Sequence, residues 1–95
     1  MCGWVNMEAC EDALARNYAV ANTDMGHTGP PFWAGWAYNN PQAREDFAHR
    51  ATHVLALAAK QLQVRFYGVA PRYSYHRGCS TGGRQGLIAA QRYPD

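Results

Sequence analysis

The residues best suited to catalysis lie in one short stretch, Gly78-Cys79-Ser80-Thr81-Gly82, which matches the pattern G-x-S-x-G. In this pattern a serine at a sharp turn between a strand and a helix presents its hydroxyl as a nucleophile. Ser80 would also stand at a helix N-terminus, where free N–H groups and the helix dipole favour an oxyanion. The pattern therefore predicts acyl transfer, and the alternative is a glycine-rich structural turn.

Four histidines are candidates for a general base or a metal site: His27, His49, His53 and His76. His49 and His53 are four residues apart on a predicted helix, which is the spacing of two zinc ligands. No glutamate follows His49 and no third ligand is evident in the sequence, so a surface or partly buried pair is favoured. His27 could serve Ser80 as a base, but it precedes the nucleophile, whereas α/β-hydrolases place the histidine last.

Two further readings of the chemistry are weaker. Asp24 and Asp46 could act as a catalytic acid, but both precede the serine, so solvated or capping roles are favoured. The glycines before a helix could bind a phosphate, but Gly83 is followed by Arg84-Gln85 rather than by the lysine and hydroxyl residue of a Walker motif. Ser80 remains the better candidate for chemistry.

Length and composition exclude several classes of protein. The 95 residues, 47% of them hydrophobic and 17% charged, suit one small domain. A net charge of +2 is too weak to indicate binding to nucleic acid or to a membrane surface. No stretch approaches the ~20 apolar residues of a membrane span, and no signal peptide is recognisable.

The three cysteines are Cys2, Cys10 and Cys79, and none of them forms a C-x-x-C pair. An odd number leaves at least one cysteine without a partner inside the chain. The pairing of Cys2 and Cys10 stays open.

Three helices are predicted from apolar spacing and capping residues. The first runs over Met7–Arg16 and ends at Asn17, a residue that enters the left-handed conformation easily. The second begins at Asn40-Pro41, continues to about Tyr67 and ends at Gly68. The third follows Ser80 and ends before Tyr93-Pro94. Spacings of three and four predict a buried stripe on the long helix: Phe47, Ala51, Val54, Ala58, Leu62 and Phe66.

Two segments between the helices are predicted to be strands. Residues 18–23 form a short apolar run, and residues 71–79 alternate two tyrosines with polar side chains. The order helix-strand-helix-strand-elbow-helix predicts parallel strands with right-handed crossovers, which is an α/β fold. Two strands make an incomplete sheet, so residues 1–95 are expected to be one part of a larger structure.

An aromatic loop precedes the long helix and contains Phe32, Trp33, Trp36 and Tyr38. These rings either pack beneath the loop or line a pocket for a flat substrate. Packing is favoured, because small clusters commonly form under long loops.

Three stretches together resemble the tannase and feruloyl esterase family: YAVANTDMGHTG at 18–29, NPQAREDFAHRA at 40–51 and YSYHRGCSTGGRQGLIAAQRYP at 73–94. The most specific part is GCSTGGRQ at 78–85, since a cysteine directly before the nucleophile is typical of this family. The resemblance implies a partial α/β-hydrolase domain that lacks the family's lid. It also implies hydrolysis of feruloyl- or galloyl-type aromatic esters through a serine acyl-enzyme.

The resemblance assigns roles to individual residues. It makes Ser80 the nucleophile and the backbone N–H of Thr81 an oxyanion donor, with Gly78 and Gly82 shaping the elbow. It also implies that Cys79 forms a disulfide with a cysteine outside this chain, next to the catalytic histidine. The triad acid and base come well after the elbow in the family and are not expected in this chain, so the isolated chain is expected to be nearly inactive.

The resemblance also bears on location, cofactors and partners. It implies a secreted enzyme whose partner is a small aromatic ester, and no nucleic acid or membrane is expected to bind. No cofactor is expected in this chain, although the resemblance allows a calcium ion in the lid. Asp24, Gly26 and His27 match a D-x-G-H segment that is read as a structural loop near the site.

The alternative from a different class is a non-catalytic α/β fragment or binding module whose G-x-S-x-G is only a turn. The two interpretations differ at Ser80. A nucleophile would show an outward hydroxyl and strained backbone angles, whereas a structural serine would cap the following helix.

Overall fold

The computed structural model describes residues 3–94, and all regular structure within that range is helical. None of the helices there is long and apolar enough to cross a membrane. Short 3-10 turns lie at Glu8–Cys10 and Gly35–Ala37. The remaining elements are α1 (Glu11–Ala15), α2 (Pro41–Glu45), a π-helical turn (Asp46–Arg50), α3 (Ala51–Tyr67) and α4 (Thr81–Arg92).

The long helix, which comprises α2, the π-helical turn and α3, begins and ends at its predicted capping residues. The Asn40 side-chain oxygen accepts a hydrogen bond of 3.1 Å from the Ala43 N–H, and Pro41 occupies the first turn. At the other end Gly68 is left-handed, with φ 73°, and its N–H donates to the Val64 carbonyl at 2.9 Å. Both boundary predictions are confirmed.

The first and last helices also end where their sequences predict. Asn17 has φ 64°, and its N–H donates to the Leu14 carbonyl at 3.0 Å, which closes the first helical region. The α4 helix ends at Arg92, directly before Tyr93-Pro94. The predicted Met7–Arg16 helix is in fact a 3-10 turn followed by the short α1.

The predicted α/β fold is wrong for the described residues, because residues 3–94 contain no strand and no sheet. The two segments predicted as parallel strands, 18–23 and 71–79, contain no strand. Residues 18–23 are irregular throughout, and residues 71–79 are irregular apart from bends at 72 and 79. They do meet, since the rings of Tyr18 and Tyr75 lie edge to face with centroids 6.3 Å apart.

The failure of the strand prediction has a physical cause. A strand is stabilised by its neighbours, and two parallel segments provide too few ladder hydrogen bonds and too little buried surface to offset the entropy of ordering the backbone. The description as a partial α/β-hydrolase domain with an incomplete sheet is therefore corrected to an all-helical arrangement of residues 3–94. That residues 1–95 are one part of a larger domain stays a prediction.

The buried core is small and includes Met25, Ala43 and Cys10, which are 1%, 3% and 5% exposed. The Thr52 hydroxyl lies 3.7 Å from the Met25 sulfur, so the loop that carries Met25 packs on the start of α3. The part of the core that contains Met25 therefore lies where the loop after residue 23 meets the long helix.

The apolar stripe predicted on the long helix is buried only near its start. Phe47 and Ala51 are half-buried, whereas Leu62 and Phe66 are 65% and 82% exposed. A stripe is buried only where another element packs on it. Val54 and Ala58 are exposed as well, so the prediction is wrong for the stripe from Val54 onward.

Replacing Gly68 by alanine isolates the cost of the left-handed backbone at the end of α3. A Cβ at this position would meet no atom within 4 Å, so the change creates no steric clash. We expect Gly68→Ala to lower the free energy of unfolding by about 1–2 kcal/mol, because an L-residue is disfavoured in this conformation. Chemical denaturation of the protein, expressed at the full length of its reading frame, measures the change.

Gly68→Asn is the matched control, since asparagine tolerates the left-handed conformation better than alanine does. It should lose clearly less stability than the alanine variant. Equal losses in the two variants would contradict a backbone origin for the effect.

Candidate active site

Ser80 has the strained backbone expected of a nucleophile elbow. Its φ of 55° and ψ of −116° lie in a region that residues with side chains rarely adopt. Such a conformation costs on the order of 1–3 kcal/mol and persists only where the surrounding structure imposes it. The side chain makes no capping hydrogen bond to α4, and the residue is exposed. This geometry agrees with the elbow interpretation rather than with a capping serine.

The two glycines of the elbow differ in what their positions require. A Cβ on Gly78 would lie 2.5 Å from the carbonyl carbon and oxygen of Gly82, so only glycine fits where the entering chain passes the first turn of α4. A Cβ on Gly82 would meet no atom within 4 Å. The steric constraint on the elbow is therefore at Gly78.

The candidate oxyanion donors are the backbone N–H groups in the first turn of α4. Gly82 N–H donates to the Cys79 carbonyl at 2.9 Å, and Arg84 N–H donates to the Ser80 carbonyl at 3.1 Å. Thr81 is the first residue of the helix, so its N–H has no acceptor within the helix. The helix dipole adds positive potential at this end. Thr81 is therefore suitably placed for the donor role, which stays a prediction.

His76 contacts the same turn. Its Nε2 lies 2.9 Å from the Gly82 carbonyl oxygen, and donates to it when that nitrogen carries the proton. The ring also lies against Gly86, where an added Cβ would be 2.7 Å from the ring carbon Cδ2. The contact places His76 beside the elbow as a support for the backbone of α4.

Arg84 joins α4 to the π-helical turn. Its Nη2 donates to the Phe47 carbonyl at 2.9 Å and its Nη1 donates to the Ala48 carbonyl at 3.1 Å. The guanidinium carbon also lies 4.7 Å from the centroid of the Phe47 ring, a cation–π contact. The sequence alone predicts no role for Arg84, because its acceptors are backbone groups 36 and 37 residues away.

His27 lies in an aromatic cluster. Its ring stacks on Trp36, with centroids 3.9 Å apart, and meets Phe47 edge-on at 5.6 Å. The predicted packing of the aromatic loop is thus confirmed for Trp36. It is wrong for Phe32 and Tyr38, which are 90% and 87% exposed.

The two aspartates considered as catalytic acids make structural hydrogen bonds. Asp24 accepts from the Gly26 N–H at 2.9 Å, which closes a local turn. Asp46 accepts from Arg50 at 2.6 Å and from Gln42 at 3.2 Å. The hydrogen bond from Arg50 is the main reason that the pKa of Asp46 lies below its ordinary value of 3.8, and it outweighs the opposing effect of burial.

The two histidines with zinc-ligand spacing contact Tyr93. His49 Nδ1 lies 2.7 Å from the Tyr93 hydroxyl, and the His53 ring stacks on the Tyr93 ring with centroids 3.9 Å apart. No three His, Cys, Asp or Glu side chains come together as metal ligands within residues 3–94. The pair instead packs the end of α4 against the long helix.

Cys79 is exposed and Cys10 is buried, and both are free thiols among the described residues. Cys10 Sγ lies 3.7 Å from the Asn6 carbonyl oxygen. Cys2 lies outside the described residues. The disulfide that the resemblance implies for Cys79 stays a prediction.

Comparisons with known proteins relate the whole chain to one family. The model of the family described as tannase and feruloyl esterase matches residues 2–95. The chain is 44% identical over 78 residues to feruloyl esterase B from Aspergillus niger, which covers 82% of this chain and 15% of that protein. It is 41% identical over 85 residues to a probable feruloyl esterase B from Aspergillus clavatus, covering 86% of this chain and 15% of the relative.

A third relative covers nearly all of the chain. It is a probable feruloyl esterase B-2 from Aspergillus flavus, 38% identical over 93 residues, which is 98% of this chain and 18% of the relative. The chain thus spans less than a fifth of the length of these curated relatives. No solved structure gives a significant match.

Alanine at the two elbow glycines should have unequal effects on stability. We expect Gly78→Ala to lower the free energy of unfolding by about 1–3 kcal/mol, because its methyl group overlaps the first turn of α4. Gly82→Ala should change it by about 1 kcal/mol or less, since the position is open and alanine favours a helix. Denaturant titration of both variants measures the difference, and equal effects would contradict the steric assignment.

Acidification tests the contacts of Asp46. Because Arg50 lowers the folded-state pKa of Asp46 below 3.8, the ionised carboxylate stabilises the folded protein above that pH. This contribution is lost as the pH falls through the lowered folded-state pKa. Asp46→Asn should therefore be less stable than the wild type near neutral pH, and the difference should shrink towards about pH 2.

Thermal unfolding across the same pH range measures this difference. Asp12→Asn is the control, because Asp12 pairs with two exposed arginines, Arg16 and Arg77, away from the π-helical turn. A wild-type advantage over Asp46→Asn that stays constant with pH would contradict a role for the charge of Asp46.

Proposed function

Since the chain belongs to the tannase and feruloyl esterase family, we propose that it carries the nucleophile of a serine esterase that hydrolyses aromatic carboxylic esters. The observation that carries this proposal is the exposed Ser80, strained and uncapped at the N-terminus of α4. The names of the relatives support feruloyl esters as the substrate class. Galloyl esters are the second class that the family description supports.

The proposed reaction is acyl transfer through Ser80. Its Oγ attacks the ester carbonyl while a histidine takes the hydroxyl proton, and the carbonyl oxygen becomes an oxyanion. The Thr81 N–H and the positive end of α4 stabilise that negative charge. Collapse of the intermediate expels the alcohol, which receives the proton. Water then attacks the acyl-enzyme carbonyl while the histidine takes a proton from it, and collapse of this second intermediate releases the aromatic acid and returns the proton to Ser80 Oγ.

The proposal assigns the remaining catalytic groups to residues beyond this chain. The triad histidine and acid, and the cysteine that pairs with Cys79, come from later in the protein, as the family resemblance implies. Removing the base and acid eliminates most of the catalysis that a triad provides. The 95-residue chain by itself should therefore be nearly inactive.

The proposal extends to location and partners, where the support is the family resemblance alone. The protein is secreted, and its partner is a small aromatic ester. The described residues hold no group of three His, Cys, Asp or Glu side chains placed for a metal ion, and a calcium ion in the lid stays a proposal from the family resemblance alone. No step of the reaction is assigned to such an ion.

Ser80→Ala tests the nucleophile. We expect the wild-type protein, expressed at the full length of its reading frame, to be labelled by a fluorophosphonate probe and to hydrolyse methyl ferulate. The variant should lose labelling completely and lose hydrolysis by about 10⁴-fold or more, because a triad without its nucleophile retains little activity.

Ser74→Ala is the matched control, since Ser74 is also exposed but lies six residues before Ser80. It should keep both labelling and hydrolysis. Labelling that persists in Ser80→Ala, or a wild type that is neither labelled nor active, would refute the proposed function.

A further inference from the structure

The π-helical turn changes which backbone groups of the long helix can accept hydrogen bonds. A π-type turn inserts extra backbone into the helix, so the regular pairing of each carbonyl with the N–H four residues on is interrupted. A buried or partly buried carbonyl is stabilised by a hydrogen-bond donor. The Phe47 carbonyl, in a half-buried residue, and the Ala48 carbonyl, in an exposed one, both lie within the turn and accept hydrogen bonds from Arg84 on α4.

The contact depends on the shape of an arginine side chain. A guanidinium presents several N–H donors in one plane, so it can reach two neighbouring carbonyls and lie over the Phe47 ring at the same time. A lysine carries the same charge, but its compact ammonium group lacks the planar fork. Arg84→Lys therefore keeps the positive charge and removes the planar set of N–H donors that reaches both carbonyls.

Arg84 stands one helical turn after Ser80, and its own N–H donates to the Ser80 carbonyl at 3.1 Å. The side chain thus bonds to the long helix while the backbone bonds to the strained residue. His76 contacts the same turn through the Gly82 carbonyl at 2.9 Å. The first turn of α4 is therefore fixed by two polar contacts with other parts of the chain.

We propose that Arg84 is a positioning residue for the reaction. By bonding the two carbonyls of the π-helical turn, it holds the first turn of α4 so that the Ser80 hydroxyl and the Thr81 N–H face the same ester carbonyl. Catalysis is sensitive to such placement, since a displacement of about 1 Å can lower a rate by about 10²-fold. This role rests on the proposed esterase function and adds a residue to which the family motif assigns no chemistry.

Kinetics with methyl ferulate separate positioning from substrate binding. In the protein expressed at the full length of its reading frame, Arg84→Lys should lower kcat by about 10- to 100-fold while KM changes by less than about 3-fold. The rate of fluorophosphonate labelling should fall by a similar factor. Arg92→Lys is the matched control, because Arg92 is exposed in the last turn of the same helix, and it should leave all three quantities unchanged.

Hydrogen exchange supplies a readout that does not require activity. The hydrogen-bonded amides of the first turn of α4, those of Gly82 and Arg84, should exchange at least about 10-fold faster in Arg84→Lys, while the amides of α3 beyond the π-helical turn keep their wild-type rates. Thermal unfolding of both lysine variants shows whether the measurements are made on folded protein. A second variant, Arg84→Gln, keeps an amide donor. Its exchange rates in the first turn of α4 should lie between those of the wild type and those of an Arg84→Ala variant.

The outcomes separate the two proposals. Unchanged kcat, labelling and exchange in Arg84→Lys would overturn the positioning role and leave the esterase function intact. Faster exchange spread evenly over α3 and α4 would also overturn it, because Arg84 would then only stabilise the fold. A wild type without labelling or hydrolysis would refute the esterase function. Faster exchange confined to α4 in Arg84→Lys would still support the claim that Arg84 holds the first turn of α4.

Discussion

In the positioning role proposed for Arg84, the placement of Ser80 depends on the π-helical turn at Asp46–Arg50. Asp46 accepts hydrogen bonds from Arg50 at 2.6 Å and from Gln42 at 3.2 Å, so its carboxylate links side chains before and after it in the helix. The Phe47 carbonyl of this turn accepts a hydrogen bond from Arg84 of α4, and the Phe47 ring contacts the ring of Trp36. One irregular turn therefore connects α4 with the aromatic loop.

The elbow is maintained by a few steric and polar contacts more than by a large core. Ser80 holds a conformation that is unfavourable by itself, and such strain persists only where surrounding groups impose it. The groups that do so here are the backbone contact at Gly78 and the polar bonds from His76 and Arg84. Few side chains are fully buried in residues 3–94, so the conformation of the elbow depends mainly on these directional contacts.

The proposed function makes the chain one part of a catalytic site. The proposed nucleophile Ser80 and the proposed oxyanion donor Thr81 lie next to each other on one turn, and this adjacency is local in sequence. The proton acceptor and its acid are assigned to later residues, so the chemistry depends on contacts that this part of the chain cannot make alone. The histidines that the structure describes contact aromatic rings or a backbone carbonyl: His27, His49, His53 and His76.

The sequence by itself determined the features that neighbouring residues decide. Asn40 and Gly68 mark the ends of the long helix, and Asn17 ends the first helical region. The G-x-S-x-G pattern locates the elbow. These features could be predicted because caps and turns depend on a few adjacent residues. Only the tertiary structure decided that residues 18–23 and 71–79 form no sheet and that Arg84 bonds to the π-helical turn. Sheet pairing and side-chain bonds to distant carbonyls depend on which segments meet in space, and that information is not local in the chain.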